Sequence, residues 1–424
     1  LPRPPRSLWF SWQLVFGEVM EDTLFKERLQ RVQTMRGEIE AGAETAQQIR
    51  RLPDDLVGRL VDEGFFRFAL PKALGGEDAT STQTIAVLEA LASVDASVAW
   101  NVMLGSEINA MAAGGMDPKL AREIYIDDPR VIMCGGGGPG SQPTRAERQK
   151  DGGVKVWGQT TFISGCYNAR YCFMGAPLFK DGQPEIGANG MPIYKMWLMP
   201  RDQWEIVDTW DVAGLRGSGS NDVRADGAYV PEELVDVDLM TIPARHENPV
   251  FRMPIPLRLA YNKVAVALGV ARGALDAFTD LAENKVPMLS SATLRHRPIA
   301  QYRMGECTAQ YRAMRAYVMD AMHDVEEELA AGAELPGAAT TQAARLACVH
   351  ASNECMKIVD TLHNTAGVTG MRMYSPLERK LRDAHGCATH RWVAHPLYQD
   401  LGGILLGLEA PAEFAGGLGS PTPR

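Results

Sequence analysis

Apolar residues along the chain change their period twice. Between Met20 and about Asp128 they recur at helical spacing, as in Leu56, Leu60 and Phe65, then Ile85, Leu88 and Leu91, then Trp100, Met103 and Leu104. Pro53 before Asp54-Asp55 predicts a helix start, because proline presets the first turn and acids favour its dipole. Leu70-Pro71 and Gly75-Gly76 break the run. From Pro129 to about Pro243 the period shortens. Val154/Val156 and Thr160/Phe162 alternate, Asp222–Val230 predicts a strand ended by Pro231, and Asp151-Gly152-Gly153 suits a hairpin turn. From about Phe251 the helical period returns in three sets: Val264, Leu268, Ala271, Leu275 and Phe278; Met304, Cys307, Tyr311, Met314 and Val318; Cys355, Val359 and Leu362. The Ala/Gly/Pro stretch at 330–339 predicts a loop between two of these helices.

This pattern implies a mainly α protein with a central β domain. Residues 1–19 are rich in Pro, Arg and Trp, lack periodicity, and read as a disordered or extraneous extension. An N-terminal helical domain spans 20–128, a middle β domain 129–245, a C-terminal helical bundle 246–410 and a tail 411–424. Helices, then strands, then helices exclude a doubly wound sheet, which alternates the two. The glycine run Gly135–Gly138 opens no clear helix, so a phosphate-cradling turn is disfavoured there.

Composition narrows the function. The 424 residues carry 43 Lys+Arg against 52 Asp+Glu, a net charge of −9, which argues against a nucleic-acid partner. No apolar run is long enough for a membrane span. The seven cysteines are odd in number and show no CxxC spacing, which points to reduced thiols in a cytoplasm. The eight histidines form no HExxH, so no metal site is expected.

Five segments then resemble the acyl-CoA dehydrogenase superfamily. They are LPKALGG (70–76), LEALASVDASVAW (88–100), VWGQTTFISGC (156–166), DTWDVAGLRGSGSNDVRADGAYVPEE (208–233) and SPLERKLRDAHGCATH (375–390). The resemblance covers about residues 25–405. It implies an N-terminal helical domain, a middle β-barrel domain and a C-terminal four-helix bundle. It also implies a flavin, FMN or FAD, held between the last two, and a homotetramer.

An acyl-CoA dehydrogenase needs a carboxylate to remove the α-proton of its thioester. The family places it shortly after the RDA motif or early in the first long bundle helix. Neither Ala384–Gln399 nor the stretch between Asn248 and Leu275 contains Asp or Glu. Alignment on Arg382-Asp383-Ala384 puts Arg391 at the first position, and guanidinium cannot act as a base. Histidines follow the motif instead: His385, His390 and His395. This resembles the flavin-dependent monooxygenase branch, which includes oxygenase components of phenol hydroxylases, dibenzothiophene monooxygenases and indole- or indoleacetate-oxidising relatives. The branch takes reduced flavin from a separate NAD(P)H-flavin reductase, adds O₂ at flavin C4a, and hydroxylates a small aromatic or heteroaromatic substrate through the C4a-hydroperoxide. The alternatives are a dehydrogenase or flavin oxidase with a non-standard base, and a non-catalytic relative.

The same resemblance suggests roles for residues. His390 and then His385 are acid/base candidates, since imidazole titrates near neutrality. His395, beside Pro396, reads as structural. Ser164 would place a hydroxyl toward flavin N5, and Phe162 would share its strand face against the ring. Arg295, Arg297 and Gln301 would meet the flavin phosphates, often across a subunit interface, as guanidinium suits phosphate. Gly367 and Gly370 would sit under the pyrophosphate. Trp100, Asn101 and Met103 would line the substrate pocket, unless they are plain core. Arg382-Asp383 reads as a structural ion pair. The helix 97–111 lacks the substrate-facing His of several aromatic monooxygenases. Glu107 is a conceivable replacement, or a surface charge.

Overall fold

The computed structural model describes residues 23–136, 140–187, 190–237, 239 and 246–409. The extension at 1–19, the tail at 411–424 and Gly137-Gly138 of the glycine run lie outside the described residues.

Six helices come first: α1 (Thr23–Thr34), α2 (Arg36–Ile49), α3 (Asp54–Asp62), α4 (Ser81–Val94), α5 (Ala96–Gly115) and α6 (Pro118–Tyr125). α3 starts where Pro53 and the two acids predicted, with Leu56, Val57 and Leu60 buried. Thr80 and Gln83 form a capping box that opens α4, so two backbone donors are satisfied reciprocally. Asp95 ends α4 and caps α5 by accepting from Val98 N, which allows the two helices to abut at one residue.

Eight strands follow: β1 (Met133–Gly135), β2 (Arg145–Arg148), β3 (Val154–Ile163), β4 (Tyr171–Lys180), β5 (Gln183–Pro184), β6 (Tyr194–Pro200), β7 (Glu205–Val207) and β8 (Asn221–Val230). Their order is β1-β4-β2-β3-β8-β7, with β5 and β6 also on β4. β4 pairs with β1 and β6 through its first residues and with β2 and β5 through its last, so the sheet curls about it. The Asp151-Gly152-Gly153 turn joins β2 to β3, and the two alternating runs of the sequence form one long strand, β3.

After a short α7 (Glu232–Val235) come α8 (Ile255–Asn284), α9 (Pro298–Ala330), α10 (Ala338–Ala366), α11 (Pro376–Ala388) and α12 (Leu397–Leu405). The loop between α9 and α10 falls within the 330–339 stretch. One hydrophobic core joins α1–α5 to the bundle; a second lies under the sheet and reaches α5 and α6. α5 belongs to both, so this helix positions the sheet against the bundle. Among the described residues no helix is long and apolar enough to cross a membrane.

The RDA motif is the clamp between these parts, but its two charges do not serve as a mutual ion pair. Arg382 pairs with Glu378 and donates to the carbonyl of Ala213. Asp383 accepts from Leu215 N at 2.7 Å, holding a loop where Leu215 has φ +53°. A Cβ on Gly214 would lie 2.0 Å from Arg382 O, so only glycine admits this approach. Nearby, Lys380 Nζ donates to the carbonyls of Ala92, Ser93 and Val94, the open end of α4.

Candidate functional site

β3 carries Ser164 to the centre of the molecule. A bulge between Thr160 and Ile163, with Phe162 at φ +62°, ends the regular alternation of that strand. The expected shared face of Phe162 and Ser164 is therefore absent. Ser164 is buried just past the strand end, while Phe162 stands 65% exposed with its ring edge-on to Trp210 at 6.3 Å.

Ser164 belongs to a chain of polar groups inside the protein. Trp100 Nε1 donates to Ser164 Oγ at 3.1 Å, Ser164 Oγ meets Ser220 Oγ at 2.7 Å, and Ser220 Oγ meets Ser218 Oγ at 2.6 Å. Gly165 follows at φ +72°, and a Cβ there would approach Asn101 Oδ1 to 3.0 Å. Asn101 is held by donating to Ser97 O and Ser218 O. Phe66, Asn101, Gly105, Ile132, Ser164 and Asn168 line a small cavity. A wider cleft of about 430 Å³, bordered by Arg130, Arg170 and Arg201, shares Ile132 and Asn168 with it.

His390 also packs on Trp100, with ring centroids 5.5 Å apart and edge-to-face. Its Nδ1 accepts from Trp392 N at 3.4 Å, which leaves the proton of a neutral ring on Nε2. Burial pushes its pKa down to about 3, and the charges of Lys263 and Arg391 act the same way. The imidazole is therefore neutral at physiological pH.

The structure divides the sequence candidates into two groups. Trp100, Asn101, Ser164 and His390 come together. Met103 is fully buried in the core shared with the bundle, and of the three expected pocket residues only Asn101 lines the cavity; Trp100 and Met103 do not. His385 is 53% exposed and pairs with Asp360 Oδ1 on α10 at 2.9 Å; His395 is exposed and packs against Tyr398. Arg295, Arg297 and Gln301 lie exposed at the start of α9, where Gln301 Nε2 donates to Arg295 O. Lys285 Nζ bridges to the carbonyl of Ala366, and Lys285 O accepts from Leu294 N at 2.7 Å, so this segment shares an end of the bundle with Gly367 (φ +60°) and Gly370. Among the described residues no hydrogen bond joins this second group to Ser164, Trp100 or His390.

Three participants escaped the sequence reading. Ser218 and Ser220 stood inside the quoted GSGS segment, a signal that was available. Lys263 had none, because its partner Glu107 lies 156 positions away. Glu107 is no surface charge: both side chains of this pair are 2% exposed. Among the described residues no cluster of His, Cys, Asp or Glu could hold a metal ion.

Family models match both helical parts of the chain. The N-terminal domain model of acyl-CoA dehydrogenases covers residues 22–117, and the C-terminal domain model covers 261–395. The chain belongs to the acyl-CoA dehydrogenase superfamily. Within that superfamily it falls in the flavin-dependent monooxygenase branch. An indole-3-acetate monooxygenase of Acinetobacter baumannii is 29% identical over 84% of this chain and 87% of that protein. The oxygenase component of p-hydroxyphenylacetate 3-hydroxylase from the same species is 28% identical over 90% and 89%. The crystal structure of 3-HSA hydroxylase from Rhodococcus sp. RHA1 superposes with a TM-score of 0.79 at 25% identity, covering 92% of this chain and 99% of that one.

The residues present fit a flavin. An exposed aromatic ring at Phe162, beside Trp210, suits a flat apolar ring system. The exposed guanidinium groups of Arg295 and Arg297 form no ion pair among the described residues and suit phosphate oxygens.

Proposed function

We propose that the chain is the oxygenase component of a two-component monooxygenase that hydroxylates a small aromatic or heteroaromatic compound. A separate NAD(P)H-dependent reductase delivers the reduced FMN or FAD. The observation that carries this reading is the arrangement of Ser164, Trp100 and His390, with a neutral imidazole next to Arg391, which occupies the position where a dehydrogenase would need a carboxylate. The relatives' names, an indole-3-acetate monooxygenase and a hydroxyphenylacetate hydroxylase, support the aromatic substrate.

Reduced flavin supplies the electrons by which O₂ gives one oxygen atom to the substrate and one to water. Phe162 and Ser164 would contact its ring. Arg295, Arg297 and Gln301, with the backbone at Gly367 and Gly370, would hold its phosphates. Ser164 Oγ is a donor and acceptor fixed by Trp100 and Ser220. His390 holds a proton on Nε2 and is the acid/base group we assign, since His385 is turned to Asp360. The substrate would enter at Asn101 and Trp100.

We assign completion of the site to a second copy, in a homotetramer, since among the described residues no hydrogen bond joins Arg295, Arg297 or Gln301 to Ser164, Trp100 or His390. Exposed apolar side chains crowd the phosphate end of the bundle: Met288, Leu289, Val368, Met371, Met373 and Tyr374. The cysteines, all buried and free, suit the cytoplasm.

The test is rapid mixing of the reduced-flavin complex with O₂ in a stopped-flow spectrometer. A transient absorbance belonging to neither reduced nor oxidised flavin, followed by hydroxylated product, is expected. Direct reoxidation with every aromatic tried would refute the reading, as would flavin reduction by an acyl-CoA without NAD(P)H.

A further inference from the structure

Leu215 is held in place from α11. Its N–H donates to Asp383 Oδ1 at 2.7 Å. Three residues on, a Cβ on Gly386 would come within 3.3 Å of the Leu215 side chain, so the helix closes on this residue. Leu215 has φ +53°, a conformation that a bulky side chain adopts only where its surroundings enforce it. Asp383 is buried, and Leu215 N is its one hydrogen-bond partner among the described residues. Its Oδ2 has none, because the neighbouring Lys380 directs its three donors to the carbonyls of Ala92, Ser93 and Val94.

Hydrogen bonds lead on from Leu215 to the centre of the site. Leu215 O accepts from Ser218 N at 2.9 Å. Ser218 O accepts from Gly165 N at 3.2 Å and from Asn101 Nδ2 at 3.4 Å. Ser218 Oγ meets Ser220 Oγ at 2.6 Å, and Ser220 Oγ meets Ser164 Oγ at 2.7 Å. An unbroken chain thus runs from α11 through residues 214–220 to the hydroxyl beside Trp100. A buried carboxylate with one oxygen unpaired is costly to keep. This one fixes a strained turn that carries two of the three serines.

We infer that Asp383 is a positioning residue for the reaction: by holding Leu215 it sets the Ser218–Ser220 pair that fixes Ser164 Oγ. It acts through this chain rather than on flavin or substrate. The inference rests on the monooxygenase reading and on the place of Ser164 in it.

The test is the decay of the transient flavin absorbance after the reduced-flavin complex is mixed with O₂, which needs no substrate. Asp383→Leu keeps a branched side chain and removes the acceptor. It should speed the decay about fivefold or more, the effect of one net hydrogen bond. Asp383→Asn keeps an acceptor oxygen for Leu215 N and should decay within about twofold of wild type. In a Ser164→Ala background, Asp383→Leu should add less than about twofold, because the hydroxyl it positions is gone. An unchanged decay in Asp383→Leu overturns the inference. So does an asparagine variant that decays as fast as the leucine one, or a full effect of Asp383→Leu without the Ser164 hydroxyl. Should Asp383→Leu not fold, Asp383→Ala takes its place. Loss of folding in both would make Asp383 a purely structural residue and would overturn the inference too. A wild-type protein with no transient absorbance refutes the monooxygenase reading and this inference with it. A wild-type transient whose decay is indifferent to Asp383 refutes the inference alone.

Discussion

Trp100 Nε1 donates to Ser164 Oγ at 3.1 Å, and the same indole meets the His390 ring edge-to-face. One side chain from α5 thus spans the sheet and the end of α11. It brings a hydroxyl and a neutral imidazole to one indole.

Ser164→Ala should uncouple the reaction. It leaves Trp100 without an acceptor at a cost of about 1–3 kcal/mol, while Ser220 keeps Ser218. The fold should persist, because the strand register does not depend on this hydroxyl. Hydrogen peroxide release per reduced flavin should rise several-fold. Unchanged coupling, measured by peroxide and product yields, would remove Ser164 from its assigned role.

His390 makes stability depend on acid in a definite direction. Its pKa falls to about 3 in the folded protein, against about 6.5 unfolded. Between these values the unfolded chain binds a proton that the folded one does not. Its contribution is therefore complete above about pH 6.5 and is lost progressively as pH falls toward 3. From pH 7 to 5 the loss amounts to about 2 kcal/mol. Asp383, pushed up to about 6, acts with the opposite sign, but it is common to wild type and variant. Chemical denaturation at both pH values should show a smaller acid loss in His390→Gln. The wild-type rate should show no inflection near 6.5 from this group.

Arg295→Gln and Arg297→Gln should weaken flavin binding without unfolding the protein, because both side chains are exposed. Each lost charge-assisted contact should raise Kd about tenfold. Titration against flavin fluorescence checks this, and an unchanged Kd in the double variant would exclude these arginines.

Lys380→Met should be among the most damaging single changes. The ammonium is buried and satisfies three carbonyls at the end of α4. Their desolvation without a partner should cost about 3 kcal/mol. A thermal midpoint within a degree of wild type would refute this account of the α4–α5 junction.

Local chemistry made much of the fold legible. The periods of Leu56 to Leu104 and of Val264 to Leu362, the Pro53-Asp54 start and the Asp151 turn act over a few residues, and the elements appear where they predicted. The absence of Asp and Glu from 384–399 was likewise a property of composition at a known offset from the RDA motif. The face expected to be shared by Phe162 and Ser164 was lost because strand alternation assumes a regular pleat, and a bulge turned Phe162 outward.

By itself the sequence determined the order of helices and strands, the missing carboxylate and the candidates Ser164 and His390, since each depends on neighbours along the chain. Tertiary structure alone decided that Trp100 joins those two and that Lys263 answers Glu107 across 156 positions. Burial and pairing depend on which surfaces meet, and that is a property of packing between distant segments.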